Sequence, residues 1–326
     1  MRGVRKSPGV VVFLLTAIAS CSGKEKAKRN EGYLTGNDGT RLFYQVAGAG
    51  RDTVVVVHGG PGAGIQAIRP DLEPLTRNHL VIFYDQRGGG RSELPDTTLL
   101  GPNDFVNDLE AVRQHFQLAT MNLLAHSFGA IIVGQYATSH ADRIARLVFL
   151  GATGPSLRQA APFYRAQMTE GDTATAHLLS LTLRSLLEGT ATDPIAACRQ
   201  FESLTKRLVT ARGEFAGWQS SQCAMPAEAV RYSFHYTERL GPEGFGAWDF
   251  THSLRSVAAP LLIIDGSRDT NGLPMERAWA RALPNARLLT VEAAGRAVHA
   301  ERPEIVFPAI DTFLSGSWPP GAITPE

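Results

Sequence analysis

The sequence predicts an α/β fold with a mostly parallel, doubly wound sheet and an inserted helical segment. Apolar runs rich in β-branched residues alternate with stretches of helical spacing along most of the chain. Several of these runs are continuous rather than alternating, which is typical of strands buried on both faces. One long stretch between two such runs has helix-forming composition and no strong strand pattern.

The elements follow one another in a regular order. Strands are predicted at "TRLFYQVAG", "TVVVVHGG", "HLVIFYD", "MNLLAHS", "RLVFLGA", "PLLIIDGS" and "RLLTVEAAG". Helices are predicted at "FVNDLEAVRQHF", "GAIIVGQYATSH" and "EIVFPAIDTFL". The composition changes between "GATGP" and "WDFTHSL". We therefore predict a core in two parts, residues 31–155 and 247–318, interrupted by a helical cap over residues 156–246 that lies at the carboxyl edge of the sheet, where open α/β folds bind ligands.

The overall composition excludes some classes of function. The chain has 326 residues, of which 44% are hydrophobic and 19% charged, as in ordinary globular proteins. Its formal net charge is +1 at pH 7, so it provides no basic field for a nucleic acid. We see no metal-type spacing of cysteine and histidine and no internal repeat. We therefore expect no nucleic-acid partner.

The first thirty residues differ from the rest and predict export. A basic stretch, "MRGVRKSPG", precedes the apolar run "VVVFLLTAIAS", which is too short to cross ~30 Å of hydrocarbon as a helix. The small residues before Cys21, "IAS", resemble a bacterial lipobox, in which the cysteine is lipidated. We predict a lipoprotein-type signal over residues 1–21, a polar tether over 22–30, and a membrane-anchored protein on the periplasmic or cell-surface side. The alternative is a plain signal peptide with an incidental cysteine.

Two further cysteines, Cys198 and Cys223, lie in the predicted cap. In an exported protein such a pair is a candidate disulfide. The alternative is two free buried thiols, and the sequence leaves both open.

The segment "NLLAHSFGAIIV" predicts a nucleophile at Ser127. It places the serine between a buried strand and a helix, with small residues, Ala125 and Gly129, two positions to either side. A sharp strand–turn–helix needs small neighbours, because the turn is strained and the helix packs close behind it. The usual pattern is G-x-S-x-G, so Ala125 departs from it. The alternative interpretation is a serine N-cap on an ordinary helix.

Four motifs carry a resemblance to a known family. They are "HGGPG", "YDQRGGGRS", "AHSFG" and "GSRD", in this order along the chain. On these residues the chain resembles the α/β-hydrolase superfamily, and more closely its prolyl aminopeptidase-like branch, from about Gly32 to Gly316. The resemblance implies an α/β-hydrolase fold with a helical cap, cleavage of an ester or amide bond through an acyl-enzyme, and no metal or organic cofactor.

The glycines of "HGGPG" allow backbone N–H groups to face a substrate oxygen. We expect the N–H groups of Gly60 and Phe128 to form an oxyanion hole, with Gly59 beside them. A dinucleotide-binding fingerprint is the rival interpretation, but it has a proline inside its turn and explains neither the serine turn nor the later acid. It would use Gly62, Gly64, Ala67 and Asp85. We interpret the charged turn with Asp85, Arg87 and Arg91 as structural support for the site.

The acid is predicted at Asp269 in "GSRD", where it would orient the base and stabilise its cationic form. Asp265, at the end of the preceding strand, is the alternative. The order serine, aspartate, histidine along the chain fits the fold.

The base is the point at which the sequence departs from the family pattern. The family places a histidine directly after the glycine of "AAG", but here Gly295 is followed by Arg296. Arginine cannot act as a general base and would pair with Asp269 instead. We predict His299 as the base, which requires a rearranged loop because a shift of three helical positions displaces a side chain by about 5 Å.

Two alternatives for the base remain open. The first is that Arg296 marks a lost triad, which would leave a surface-anchored binding protein without turnover. The second is a histidine from elsewhere in the chain. The candidates are His126, His235 and His252.

The expected substrate is a small peptide, amide or ester. Prolyl aminopeptidases hold the free amine of the substrate with glutamates of the cap, but the matching segments, "GWQSS" and "RYSFHY", contain none. Nearby substitutes are Glu214, Glu228 and Glu238. We therefore favour a broader esterase or amidase. The aromatic residues of the cap are expected to form mainly its core, although they could line an apolar pocket: Phe163, Tyr164, Trp218, Phe234, Tyr236, Phe245 and Trp248.

Overall fold

A single eight-stranded sheet forms the centre of the protein. The computed structural model describes residues 3, 30–50, 52–96, 101–169, 172–211, 219–239 and 246–325. The strands are β1 (Asn30–Thr35), β2 (Arg41–Ala47), β3 (Thr53–Val57), β4 (Leu80–Tyr84), β5 (Met121–His126), β6 (Ile144–Leu150), β7 (Leu261–Gly266) and β8 (Ala286–Val291). They are ordered β1-β2-β4-β3-β5-β6-β7-β8 across the sheet. Only the pairs β1–β2 and β2–β4 are antiparallel in this sheet.

The helices cover both faces of this sheet or form the cap. They are α1 (Pro102–His115), α2 (Gly129–Ser139), α3 (Leu157–Thr169), α4 (Thr173–Leu187), α5 (Pro194–Val209), α6 (Ala227–Arg239), α7 (Leu273–Ala282), α8 (Val298–Glu301) and α9 (Pro303–Leu314). The predicted mostly parallel, doubly wound fold is confirmed.

The continuous apolar strands are buried on both faces, as their composition predicted. In β3, Val55 and Val57 face one apolar layer and Val54 and Val56 face the other. The first layer is formed with α1, α2 and α7, and the second with α9. Because side chains alternate across a strand, a strand covered by helices on both faces has to be apolar at every position.

Among the described residues between β6 and β7, four helices, α3 to α6, lie within the segment predicted as a cap. Their own apolar cluster includes Leu186, Val230 and Phe234. A disulfide joins Cys198 in α5 to Cys223, just before α6. The cap therefore has a core of its own that is separate from the sheet.

The N-terminal boundary needs one correction. β1 begins at Asn30, which the sequence placed at the end of the tether, and this residue pairs with Val46 of β2. The pairing could not be read from the polar composition of the segment. The predicted signal, Cys21 and the rest of the tether lie outside the described residues. Within the described part of the chain, no helix is long and apolar enough to span a membrane.

The charged, glycine-rich turn after β4 is tied to its surroundings by ion pairs and backbone contacts. Arg87 binds both carboxylate oxygens of Asp108 in α1, at 2.7 and 2.6 Å, and both side chains are buried. Asp85 accepts hydrogen bonds from the backbone N–H groups of Ile65 and Arg91. These contacts hold the turn to α1 through Arg87 and to the segment after β3 through Asp85. Both side chains therefore have structural partners within the protein.

The buried pair generates a stability prediction. Asp108→Ala removes the bidentate partner of the Arg87 guanidinium and leaves it the half-exposed Asp38, 2.9 Å from Arg87 Nη1, so the free energy of unfolding should fall by about 3 kcal/mol. Urea denaturation measures this loss. The control is Asp142→Ala, since Asp142 pairs only with its neighbour Arg143 at an exposed position, and it should change stability by less than about 1 kcal/mol. Similar losses in the two variants would contradict the role assigned to the buried pair.

Candidate active site

Ser127 lies on a strained turn between β5 and α2. Its φ is +51°, in the left-handed region that non-glycine residues rarely adopt. Two hydrogen bonds attach the turn to the end of β6 and the residues that follow it. The Ser127 N–H donates to the Leu150 carbonyl at 3.2 Å, and the Thr153 N–H donates to the Ser127 carbonyl at 3.0 Å. A left-handed serine costs about 1–3 kcal/mol and persists only where its surroundings enforce it.

Glycines allow this turn to lie close to β3 and its loop. A Cβ on Gly129, the first residue of α2, would collide with the carbonyl oxygen of Val57 in β3. A Cβ on Gly59 would lie 3.0 Å from the Ser127 Cβ. Gly60 has a φ of +136°, which favours glycine. The loop with Gly59 and Gly60 and the helix start at Phe128 thus lie next to Ser127, and their role as an oxyanion hole stays a prediction.

His58 fixes the loop through a defined tautomer. Its Nε2 accepts the backbone N–H of Gln86 at 3.0 Å, so Nδ1 carries the proton and donates to the Gly59 carbonyl at 2.6 Å. Full burial lowers the pKa of His58 to about 4, so the ring is neutral near pH 7. Since Gln86 also donates to the His58 carbonyl, the glycine loop is joined to the charged turn after β4.

Arg296, and not a histidine, is the partner of Asp269. Its Nη1 lies 3.3 Å from Asp269 Oδ2, and both side chains are buried. Asp269 Oδ1 accepts the Gly272 N–H at 2.8 Å. The guanidinium carbon lies 4.2 Å from the centre of the Phe163 ring in α3 of the cap, a cation–π contact. Arg296 also lies against Gly151, since a Cβ added to Gly151 would be 2.9 Å from the Arg296 Cγ.

Two further carboxyls surround this ion pair. Asp265 and Glu276 are both fully buried. Burial, together with the charges of Asp269 and Glu276, holds the pKa of Asp265 well above its usual range. Burial likewise raises the pKa of Glu276 to about 8, an effect that the Arg296 charge reduces. Both shifts favour the protonated, uncharged form of these two carboxyls beside the Arg296–Asp269 ion pair.

His299 is buried at the start of α8 and does not contact Ser127 or Asp269 through a hydrogen bond. In the described part of the chain neither of its ring nitrogens has a hydrogen-bond partner. Its ring lies 5.2 Å from that of His126, in an edge-to-face arrangement. Burial lowers the pKa of His299 to about 4, so the ring is neutral. The structure thus does not join Ser127, Asp269 and His299 into one chain of hydrogen bonds.

The alternative bases are placed differently. His126, directly before Ser127, is half-buried, and its Nδ1 would lie 3.1 Å from a Cβ on Gly59. His235 in α6 and His252 are exposed.

The cap residues named from the sequence divide between its core and the site. Phe234 packs on Phe201 within the cap, Phe163 covers Arg296, and the Trp248 ring nitrogen donates to the Gly154 carbonyl. Tyr164 is exposed by 37%. Glu228 is exposed at the start of α6. Glu214, Trp218, Phe245 and the side chains of Tyr236 and Glu238 lie outside what the structure describes.

Sequence reasoning missed Glu276 and Glu301. Glu276 belongs to no sequence motif. It joins the site only because α7 places its carboxyl beside the backbone of Ala152, whose N–H donates a hydrogen bond to Glu276 Oε1 at 2.5 Å. Glu301 lies two residues after His299, and no local pattern of the sequence indicates its partners. Its carboxylate accepts the N–H groups of Gly295 and Ala211.

Comparison with known proteins identifies the family. The profile for the alpha/beta hydrolase fold matches residues 52–303, more than half of the chain. The chain belongs to the α/β-hydrolase family. It is 25% identical to a proline iminopeptidase from Heyndrickxia coagulans, over 87% of this chain and 98% of that protein. This supports the resemblance to the prolyl aminopeptidase-like branch.

Solved structures agree on the fold of this α/β hydrolase. A proline iminopeptidase from Mycobacterium smegmatis matches with a TM-score of 0.66 at 21% identity, covering 88% of this chain and 98% of that one. An esterase from Exiguobacterium antarcticum matches with a TM-score of 0.66 at 20% identity, covering 87% and 99%. At these identities the structural matches show the fold alone, and the family assignment makes the protein a hydrolase.

The buried carboxyl of Glu276 predicts a pH-dependent stability. Because the folded state keeps a proton up to about pH 8 and the unfolded chain releases it near pH 4.3, this group stabilises most at low pH and loses that contribution as the pH rises to 8. Glu276→Gln removes this pH-dependent loss of stability, because a glutamine side chain does not ionise. The stability of the variant relative to the native protein should therefore rise by about 1 kcal/mol per pH unit between pH 5 and pH 8.

Urea denaturation across this pH range measures the effect. Glu188→Gln, at an exposed position, is the matched control and should keep a constant difference from the native protein. A constant difference for Glu276→Gln as well would show that the carboxyl is ionised in the fold.

Proposed function

We propose that this α/β hydrolase cleaves an ester or amide bond with Ser127 as the nucleophile. The observation that carries the proposal is the left-handed serine at the strand–turn–helix, pressed against a glycine loop. In this geometry the hydroxyl can attack a carbonyl carbon, and the Gly60 and Phe128 N–H groups can stabilise the oxyanion. The attack gives an acyl-enzyme and expels the amine or alcohol, and water then releases the acid.

His299 is proposed as the base, and it acts after the loop that carries it has moved. Arginine stays protonated at any pH of interest, so Arg296 cannot take the serine proton. A neutral imidazole can, and the lowered pKa keeps His299 in that form down to about pH 4. In the described conformation Asp269 is occupied by Arg296, so productive turnover requires His299 to replace that contact.

The proposed substrate is a small ester, amide or peptide, with ester or amide cleavage favoured over strict aminopeptidase activity. Two observations support this preference. Glu228 is exposed at the start of α6. Of the acidic side chains near Arg296, Asp269 is paired with it, and burial favours the uncharged forms of Asp265 and Glu276. A free amine would therefore find no unpaired carboxylate among them. The comparisons give no support to the alternative of a binding protein without turnover.

The function is tested with a fluorophosphonate probe and p-nitrophenyl esters. Ser127→Ala should abolish labelling, and His299→Ala should lower kcat/KM by about 10²-fold or more, the usual contribution of a general base. Arg296→His should raise kcat/KM roughly 10³-fold, because an imidazole would then stand beside Asp269.

Arg302→His is the control for adding a histidine, since Arg302 pairs with Glu304 at the surface; it should leave kcat/KM unchanged. Labelling that survives in Ser127→Ala would exclude Ser127 as the nucleophile. Full activity in His299→Ala would exclude His299 as the base. If neither the native protein nor the Arg296→His variant hydrolyses the esters or reacts with the probe, the proposed hydrolytic function is excluded.

We also propose that the protein is exported and anchored through a lipid on Cys21, which the basic stretch, the short apolar run and the small residues before this cysteine support. Cys21→Ser should move the protein from the membrane fraction to the soluble fraction and remove the lipid mass from its N-terminal peptide. The double variant Cys198→Ser/Cys223→Ser breaks the disulfide and should keep the lipid. A native N-terminal peptide without added lipid would contradict the anchor.

A further inference from the structure

The loop that carries Arg296 is held by a hydrogen bond on each side of that residue. On one side, the Gly295 N–H donates to Glu301 Oε2 at 2.6 Å. On the other side, the Ala297 N–H donates to the carbonyl of Val209, the last residue of α5, at 3.1 Å. Arg296 therefore has little freedom to leave Asp269 while these bonds persist.

Glu301 connects the two attachments. Its other carboxylate oxygen, Oε1, accepts the N–H of Ala211, just after α5, at 2.9 Å. Gly295 allows the close approach, since a Cβ there would lie 2.7 Å from both the Ala211 nitrogen and the Val209 oxygen. One side chain thus joins the loop to the end of a cap helix across 90 residues of sequence.

The conformation held in this way leaves buried polar groups unsatisfied. In the described residues, Arg296 Nη2 and both ring nitrogens of His299 are buried without a hydrogen-bond partner. Buried groups of this kind are costly, because they lose water and gain no replacement. The bonds through Glu301 and Val209 offset that cost.

We propose that Glu301 is a positioning residue that holds the loop at residues 295–297 against the end of α5, with Arg296 beside Asp269 and His299 withdrawn. Release of this bridge lets the loop move and brings His299 to Asp269 and Ser127. The inference rests on the proposed function, and it adds that the end of α5 controls whether the base is available.

Glu301→Gln tests the bridge. A glutamine side chain can accept only through its single oxygen, so one of the two N–H bonds is lost. The rate of Ser127 labelling by a fluorophosphonate should rise about tenfold, and hydrogen exchange of the Gly295 and Ala211 amides should become faster. A residue that only stabilises the fold would instead lower the labelling rate when it is changed.

Two matched variants complete the test. Glu304→Gln makes the same change at an exposed residue that pairs with Arg302, and it should leave the labelling rate unchanged. Glu301→Gln/His299→Ala should lose the gain, because the proposal assigns it to His299. A gain that persists in this double variant, or an unchanged or lower rate in Glu301→Gln, would overturn the proposal.

Hydrogen exchange on the native protein provides a test that needs no variant. The Ser127 adduct should show faster exchange over residues 295–297 than the unlabelled protein. Unchanged exchange in the adduct would overturn the positioning role and leave Ser127 as the nucleophile. If no adduct forms in the native protein or in Arg296→His, the proposed function fails, and the inference fails with it.

Discussion

The bend at Ser127 is the constraint around which the site is arranged. A serine in the left-handed region is held there by hydrogen bonds to the segment after β6 and by the close approach of α2 to β3. Two glycines permit this packing. A Cβ on Gly59 would press against the Ser127 Cβ, and a Cβ on Gly129 would collide with the Val57 carbonyl. The turn persists because contacts with the ends of β3 and β6 enforce its conformation.

The ion pair between Arg296 and Asp269 explains how a buried cation is tolerated where an imidazole is expected. A lone buried charge is costly, and a single partner often fails to offset its desolvation. Here the pair lies beside Asp265 and Glu276, whose raised pKa values favour their uncharged forms. Both shifts therefore reduce the negative charge around the ion pair. A cation–π contact from Phe163 covers the guanidinium on the cap side.

The cap takes part in the site in two ways. Phe163 of α3 lies over Arg296. The end of α5 binds the loop directly at Ala297 and, through Glu301, at Gly295. The disulfide at Cys198 ties α5 to the segment before α6, so the end of α5 belongs to a cross-linked unit. Through these contacts, the position of the cap affects where the loop places Arg296 relative to Asp269.

The sequence by itself determined the parallel sheet, the strand–turn–helix at Ser127 and the replacement of a histidine by Arg296. These features depend on local patterns: continuous apolar runs, small residues around a serine, and a short motif. Only the tertiary structure decided that β1 pairs from Asn30, that Glu276 joins the buried carboxyls, and that Glu301 binds Ala211. These features depend on which distant segments come into contact and on how far each group is removed from water, and no local pattern of residues encodes either quantity.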